Sequence, residues 1–303
     1  MLSFDIYCKA DSFGQTHFVK FASAAIPEHR EKIRRLLESG DFAEQFYIHE
    51  EDLFKYYDHA TEALKKFVSS DKVSLREKTR TMYNVTKEIM KDFFEYSAST
   101  KALHSSEKVM EVMEDCMSAH DVGFGAISQI ANKDYYTYTH SINVGLYCMT
   151  FGVKSKMGRS DIRDLGLGGM LHDVGKSKVP RDILNKNGKL TDEEFGVIQL
   201  HSFWGEEILN GMACYKPNVV NMAAQHHEKF EGGGYHKQLA GEEISFHARV
   251  CKIMDVFDAL TTRRSYKKAL QAFDTLTLMK KKMSGHFDPG LLDKFIRLMG
   301  PEM

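Results

Sequence analysis

The 303-residue chain carries 41 Lys and Arg against 42 Asp and Glu, a net charge of -1, and 43% of its residues are hydrophobic. That balance excludes a broadly basic nucleic-acid coat, so no DNA partner is expected. The length suffices for one large or two ordinary domains with a buried core. No apolar stretch approaches the roughly 18 residues of a membrane span, and the first twenty residues alternate apolar and polar side chains instead of forming a signal-type core. The five cysteines (Cys8, Cys116, Cys148, Cys214 and Cys251) are spread out with no C-x-x-C pair, which leaves neither a disulfide framework nor a thiolate zinc site. A reduced, cytoplasmic protein without a membrane partner is expected.

In chain order, residues 1–68 read as a small N-terminal α/β (α+β) domain of regulatory or partner-binding type. Leu2, Phe4, Ile6 and Cys8 alternate as in a half-buried strand, and His17 to Phe21 forms a second strand-like run after a turn at Asp11–Gly14. Pro27 is placed for the first turn of a helix ending at Gly40. Phe46-Tyr47-Ile48 is a short apolar piece, and Glu50, Glu51 and Asp52 open a helix to about Val68, acidic residues favouring the positive end of the dipole. Residues 69–120 read as a helical linker. Leu75, Met82, Val85, Ile89, Phe93 and Tyr96 make one apolar stripe, which suits packing against its own protein or, alternatively, a homodimer through this linker. Residues 121–303 read as almost wholly helical. Thr191 to Glu194 is a capping box whose helix should carry His201, and Asp288-Pro289 is an N-cap with a first-turn proline.

Of fourteen histidines, His140, His172, His201, His226 and His227 fall in local settings that repay attention. His172-Asp173 ends an apolar helix and precedes Gly175-Lys176; His226-His227 precedes Glu228; Asp255 lies in a helical run ending Asp258-Ala259-Leu260. Five imidazoles and two carboxylates exceed the needs of one ion and suit two sharing a carboxylate, the arrangement used on phosphate esters with ions about 3.5–4 Å apart. Imidazole with carboxylate suits iron, manganese, nickel or zinc and gives little basis for choosing among them; two divalent ions are the expectation. His17, His29, His49, His59, His104, His120 and His247 are read as ordinary surface or core histidines.

Taken together, these residues resemble the HD-GYP family, a branch of the HD superfamily of metal-dependent phosphohydrolases. The matching pieces run in order: Thr139-His140 to Val144; His172-Asp173-Val174-Gly175-Lys176 with Pro180; His201 before Gly205-Glu206-Glu207; His226-His227-Glu228; Gly234-Tyr235; Gly241 to Ile244; Asp255 to Thr261 on to Arg264; and Gly285 to Pro289. The resemblance implies a mostly α protein, with an all-α HD-type bundle over residues 121–303 following the linker and the small first domain. It implies hydrolysis of cyclic di-GMP to the linear dinucleotide, and on to GMP in some members. By the family pattern, His140, His172, Asp173 and Asp255 hold one metal, and Asp173 bridges to a second held by His201, His226 and His227. Asp173 and Lys176 are the implied catalytic residues. Lys176, Tyr235, Arg264 and Lys267 are the implied substrate contacts, while Glu228 and Asp258 orient histidines or helix ends.

This chain departs from the family in four places. The Gly-Tyr-Pro motif is degenerate: it reads Gly234-Tyr235-His236, preceded by Glu231 in place of Asp. Without proline, and after three glycines, the loop is expected to be mobile, with His236 an exposed residue. Arg-Pro-Tyr-Arg becomes Arg264-Ser265-Tyr266-Lys267, which softens the phosphate grip. Tyr136 stands where some members carry a Glu for a third metal, so two metals are expected. The competing reading is a signalling module with little or no turnover that binds metal and the dinucleotide and acts through protein partners. A different HD-type reaction, nucleotide phosphohydrolysis or oxygen chemistry at iron, is a third.

Overall fold

An antiparallel hairpin opens the chain in the computed structural model, which describes residues 3–12, 15–23, 26, 28–29, 46–95, 100–120, 122–131, 137–186, 188–212, 214–263 and 269–300. Strand β1 (Ile6–Ser12) pairs with β2 (Gln15–Ala22), and the short β3 (Phe46–Tyr47) pairs with the other edge of β1, giving the order β2-β1-β3. Both strand-like runs of the sequence are strands, and the apolar piece at Phe46 is the third. β1 starts later than the alternation from Leu2 suggested and runs on to Ser12, through the start of the expected turn. A 3-10 turn at Glu50–Asp52 leads into helix α1 (Leu53–Val68). The helix expected from Pro27 to Gly40 lies outside the described residues.

The chain divides into two compact units, Met1–Phe67 and Val68–Met303. The segment read as a linker belongs to the second. Helix α2 (Leu75–Glu95) begins at Ser74, whose hydroxyl accepts from Glu77 N–H while the Glu77 carboxylate accepts from Ser74 N–H, a reciprocal cap. Met82 and Ile89 of its apolar stripe are buried, and Tyr83 donates to Asn143 at 3.1 Å. Tyr96, at the end of the stripe, lies outside the described residues. Helix α3 (Thr100–Ala119) follows and buries Val109, Met113 and Met117. A segment with one strongly apolar face is more stable packed on the bundle than spanning solvent, which is why it does not stand apart.

The rest of the bundle comprises α4 (Phe124–Ile130), α5 (Thr137–Lys154), α6 (Arg159–Leu171), a 3-10 turn (Val174–Lys178), α7 (Arg181–Leu184), α8 (Asp192–Gln199), α9 (His201–Gly211), α10 (Pro217–Gln225), α11 (Phe246–Thr261), α12 (Ala272–Lys282) and α13 (Pro289–Met299). α5 is the central helix, buried on every side from Thr139 to Gly152. It crosses α6 backbone to backbone: a Cβ on Gly169 would lie 2.9 Å from Gly145 Cα, so only glycine permits this approach. Phe257 stacks edge-on against both Tyr147 and Phe295, with centroids 5.5 and 5.2 Å apart, closing the core beneath α5, α11 and α13. Both predicted caps form. Thr191 and Glu194 make the capping box of α8, and Asp288 accepts from Leu291 N–H at 3.0 Å to open α13. Among the described residues no helix is long and apolar enough to cross a membrane.

Candidate metal centre

Four histidines have their Nδ1 atom already engaged. His172, at the C-terminal end of α6, places Nδ1 2.7 Å from the carbonyl of Gly169. His201 does the same to Ile198 at 2.6 Å, and His226, just after α10, to Met222 and Ala223 at 3.0 and 3.1 Å. A carbonyl only accepts, so Nδ1 carries the proton in these three and each Nε2 is left with a lone pair. His140 on α5 points Nδ1 at the Asp258 carboxylate, 2.7 Å away. That carboxylate is steadied by Asn143 at 2.9 Å and Thr262 at 3.2 Å. Outer partners of this kind fix ring orientation at metal sites.

The Nε2 atoms turn toward Asp173. Its Oδ1 lies 3.3 Å from His201 and 3.8 Å from His226, and its Oδ2 lies 3.4 Å from His172 and 3.9 Å from His140. His140 Nε2 is also 3.1 Å from Asp255 Oδ1 on α11. Two groups of donor atoms result, each within 4.8 Å of one another: Asp173 with His201, His226 and His227, and His140 with His172 and Asp255. All seven residues named from the sequence are therefore brought together, with Asp173 facing both groups.

The donor set fits a pair of cations. His172 Nε2 and Asp173 Oδ1 are buried without a hydrogen-bond partner. The Nε2 atoms of His201 and His226 face each other at 3.3 Å although neither carries a proton to share, an arrangement that repels unless a positive charge sits beside it. Burial pushes His201 down to about 4 and lowers His226 and His227 well below the usual range, keeping them neutral and ready to ligate. Burial also acts against a charged His140, but Asp255 and Asp258 outweigh it and raise the ring to about 9. For Asp173 the desolvation that would raise its pKa is overcome by Lys176, His172 and His201, so it stays ionised.

His201 sits differently from the expectation. The capped helix ends at Gln199, and after Leu200 a new helix starts with His201 as its first residue. Gly175 explains how α9 comes so close: a Cβ there would lie 1.9 Å from the His201 carbonyl oxygen, so the turn after Asp173 packs directly on the helix that carries His201. Glycine in the His-Asp-x-Gly-Lys pattern is a packing requirement.

Lys176 Nζ lies 2.5 Å from Asp173 Oδ2. Tyr235 stacks on His227 with centroids 4.7 Å apart at 21°. The loop carrying it is tied down, contrary to the expectation of a mobile one. Glu228, fully buried, accepts from the backbone N–H of Lys237 and Gln238 at 2.7 and 3.0 Å. Glu206 on α9 pairs with His236 at 3.1 Å and with Lys237 at 2.5 Å. His236 is thus half-buried and paired, and Glu228 orients the loop where a histidine or helix end was expected. Arg264, Lys267 and Tyr136 lie outside the described residues.

Two contributors went unread in the sequence. Asn143 reaches the site through Asp258, and its signal in the sequence is its place one turn after His140 on the same helix. Lys252 is buried on α11 and donates to the His226 carbonyl at 3.3 Å; burial lowers it to about 8. A lysine inside a helical repeat gives no hint that it points inward.

Residues 111–291 match the HD domain family model. The chain is 36% identical over 197 residues to a cyclic di-GMP phosphodiesterase of Pseudomonas aeruginosa, covering 65% of this chain and 47% of that protein. It is 34% identical over 182 residues to 3'3'-cGAMP-specific phosphodiesterase 3 of Vibrio cholerae, covering 59% of this chain and 39% of the relative. The chain thus spans less than half the length of these two relatives. A solved HDG"Y"P protein of Bdellovibrio bacteriovorus superposes with a TM-score of 0.66 at 13% identity, over 98% of this chain and 94% of that one, and shares the fold. With residues 111–291 matched, more than half of its length, the chain belongs to the HD domain family.

Proposed function

We propose that this chain is a binuclear-metal phosphodiesterase that opens cyclic di-GMP, or a close cyclic dinucleotide relative, to the linear product. The observation that carries the reading is the division of Asp173 between two donor groups, Oδ1 toward His201 and His226 and Oδ2 toward His172 and His140. His140, His172 and Asp255 would hold one ion, His201, His226 and His227 the other, and Asp173 both. When bound, two divalent cations supply charge stabilisation to a phosphoryl group and make water nucleophilic at neutral pH.

The chain's own residues prepare that chemistry. The backbone carbonyls at Gly169, Ile198 and Met222 and the Asp258 carboxylate hold the four rings in place before substrate arrives. Lys176 sets a compact positive charge beside Asp173, where a non-bridging phosphate oxygen would come to rest. Tyr235, whose burial keeps its phenol protonated, covers His227 and offers a donor to the ligand. Arg264 and Lys267 are assigned to the second phosphate by resemblance to the family. Iron is the expected metal, with manganese, nickel or zinc able to use the same donors. A role for residues 1–68 in regulation or partner binding belongs to this proposal too; the stripe of residues 69–120 that suited a homodimer is buried within the chain's own bundle at Met82 and Ile89.

The pairing of His236 and Lys237 with Glu206 favours one second reading, a signalling module in which the altered loop serves partner contact and turnover is slight. Metal-loaded protein incubated with cyclic di-GMP and with 3'3'-cGAMP separates the two. Linear product that accumulates with wild type and disappears in Asp173→Ala supports the phosphodiesterase. Bound but unconverted dinucleotide in both proteins would reject it.

A further inference from the structure

A second set of metal-type donors lies away from the pair. Asp161 and Asp164, in the first two turns of α6, meet His247 at the start of α11, with one donor atom of each within 4.8 Å of the others. His247 precedes Asp255 on α11 by eight residues, and Asp164 precedes His172 by eight, so the cluster sits about 12 Å along both helices from the pair.

Two acidic residues at a helix start would by themselves mean little, since carboxylates there complement the dipole. The histidine changes that. His247 is 7% exposed, and its Nε2 is buried with no hydrogen-bond partner, 3.6 Å from Asp161 Oδ1. A buried ring nitrogen that stops 3.6 Å from a carboxylate oxygen, beyond hydrogen-bond reach, is an unmet donor or acceptor, which native interiors seldom leave. Burial lowers the ring's basicity, against the pull of Asp161 and Asp164, so it stands neutral with a lone pair to give.

We infer that Asp161, Asp164 and His247 form a third, single-ion site for a borderline divalent transition metal such as zinc, separate from the catalytic pair. One imidazole and two carboxylates match such an ion, and the half-exposed Asp161 leaves a side open for water. The ion would fasten the starts of α6 and α11, the helix that leads to His172 and the helix that carries Asp255. Asp164 is also the acceptor for Lys216 at 3.0 Å and Asn218 at 3.0 Å, while Lys216 reaches Ser160 at 2.7 Å. The lysine is therefore a competing cation. Its side chain is 56% exposed, so it can turn to solvent when a metal takes the carboxylate.

Equilibrium dialysis of the full chain against zinc, followed by elemental analysis, tests the site with Asp161→Asn, His247→Ala and Lys216→Gln. Wild type should retain one zinc ion more per chain than Asp161→Asn or His247→Ala. Lys216→Gln should fill that site at a several-fold lower free zinc concentration, because the competing charge is gone. A mere ion-pair network would instead lose stability in Lys216→Gln with no gain in zinc. If His247→Ala fails to fold, Asp161→Asn, altered at a half-exposed position, still decides. Equal zinc counts in wild type and Asp161→Asn would overturn the site. The zinc remaining in Asp161→Asn reports the pair, so an absent third site and an absent pair give different counts.

Discussion

Asp258 accepts a 2.7 Å hydrogen bond from Nδ1 of His140, across 118 residues of sequence, and that bond aims the opposite ring nitrogen at Asp255 and Asp173. Asp258 touches none of the other six proposed ligands in these contacts, yet it governs how one of them is presented. Removing it in Asp258→Ala should weaken metal binding by about 10–100-fold while leaving the fold cooperative. A metal titration with a melting curve alongside checks this; unchanged affinity would show that His140 needs no such guide.

Gly175 admits no side chain, because a methyl group would meet the His201 carbonyl at 1.9 Å. Gly175→Ala must push α9 away from the turn after Asp173, at a cost of about 1–3 kcal/mol in stability. The ion proposed for Asp173, His201, His226 and His227 should be lost before the one proposed for His140, His172 and Asp255. Metal content and chemical denaturation together read both effects, and a fully metallated, wild-type-like variant would contradict the packing.

Lys176 contacts Asp173 and is assigned to phosphate, not to metal. Lys176→Ala should keep its metal content yet lose most of its turnover of cyclic dinucleotide, by at least about tenfold, as expected for loss of a charge acting on the transition state. Loss of metal in this variant would move the lysine's role from substrate to cage.

Away from the site, Glu114 on α3 ties that helix to α6 through Arg159 and Arg163 at 2.9 and 3.2 Å. Burial alone would raise its pKa, but the two guanidinium groups prevail and hold the carboxyl below its ordinary value. A depressed acid stabilises the fold above its unfolded pKa, about 4.3, and that contribution is lost as pH falls through the native value. Glu114→Gln should therefore be less stable than wild type at pH 7, by about 1.5 kcal/mol given half-exposed arginines. The gap should narrow once pH falls below the unfolded value and close below the depressed native one. A gap independent of pH would mean the contribution is packing alone.

What was legible in the sequence follows the chemistry of each residue. The seven proposed ligands could be read because imidazole and carboxylate at those positions have few other uses, and the cap at Thr191 and the proline after Asp288 announce helices by local rules. The break at Leu200 left no mark, since its backbone remains close to helical (φ -63°, ψ -12°) and no proline or glycine signals it. His236 was misjudged because its partner, Glu206, lies thirty residues away on another helix. Likewise Lys252 and His247 owe their surroundings to elements distant in sequence, and a lysine or histidine in a helix carries no sign of facing inward. The segment 69–120 looked separable because its stripe is complete in itself; only the packing of α2 and α3 into the second unit assigns it.

The most direct test of the shared role of Asp173 is anomalous X-ray diffraction from crystals of the metal-loaded protein. Two peaks about 3.5–4 Å apart, one beside His140, His172 and Asp255 and the other beside His201, His226 and His227, with the Asp173 carboxylate between them, are the expected result. A single peak, or two peaks with Asp173 reaching only one of them, would contradict it.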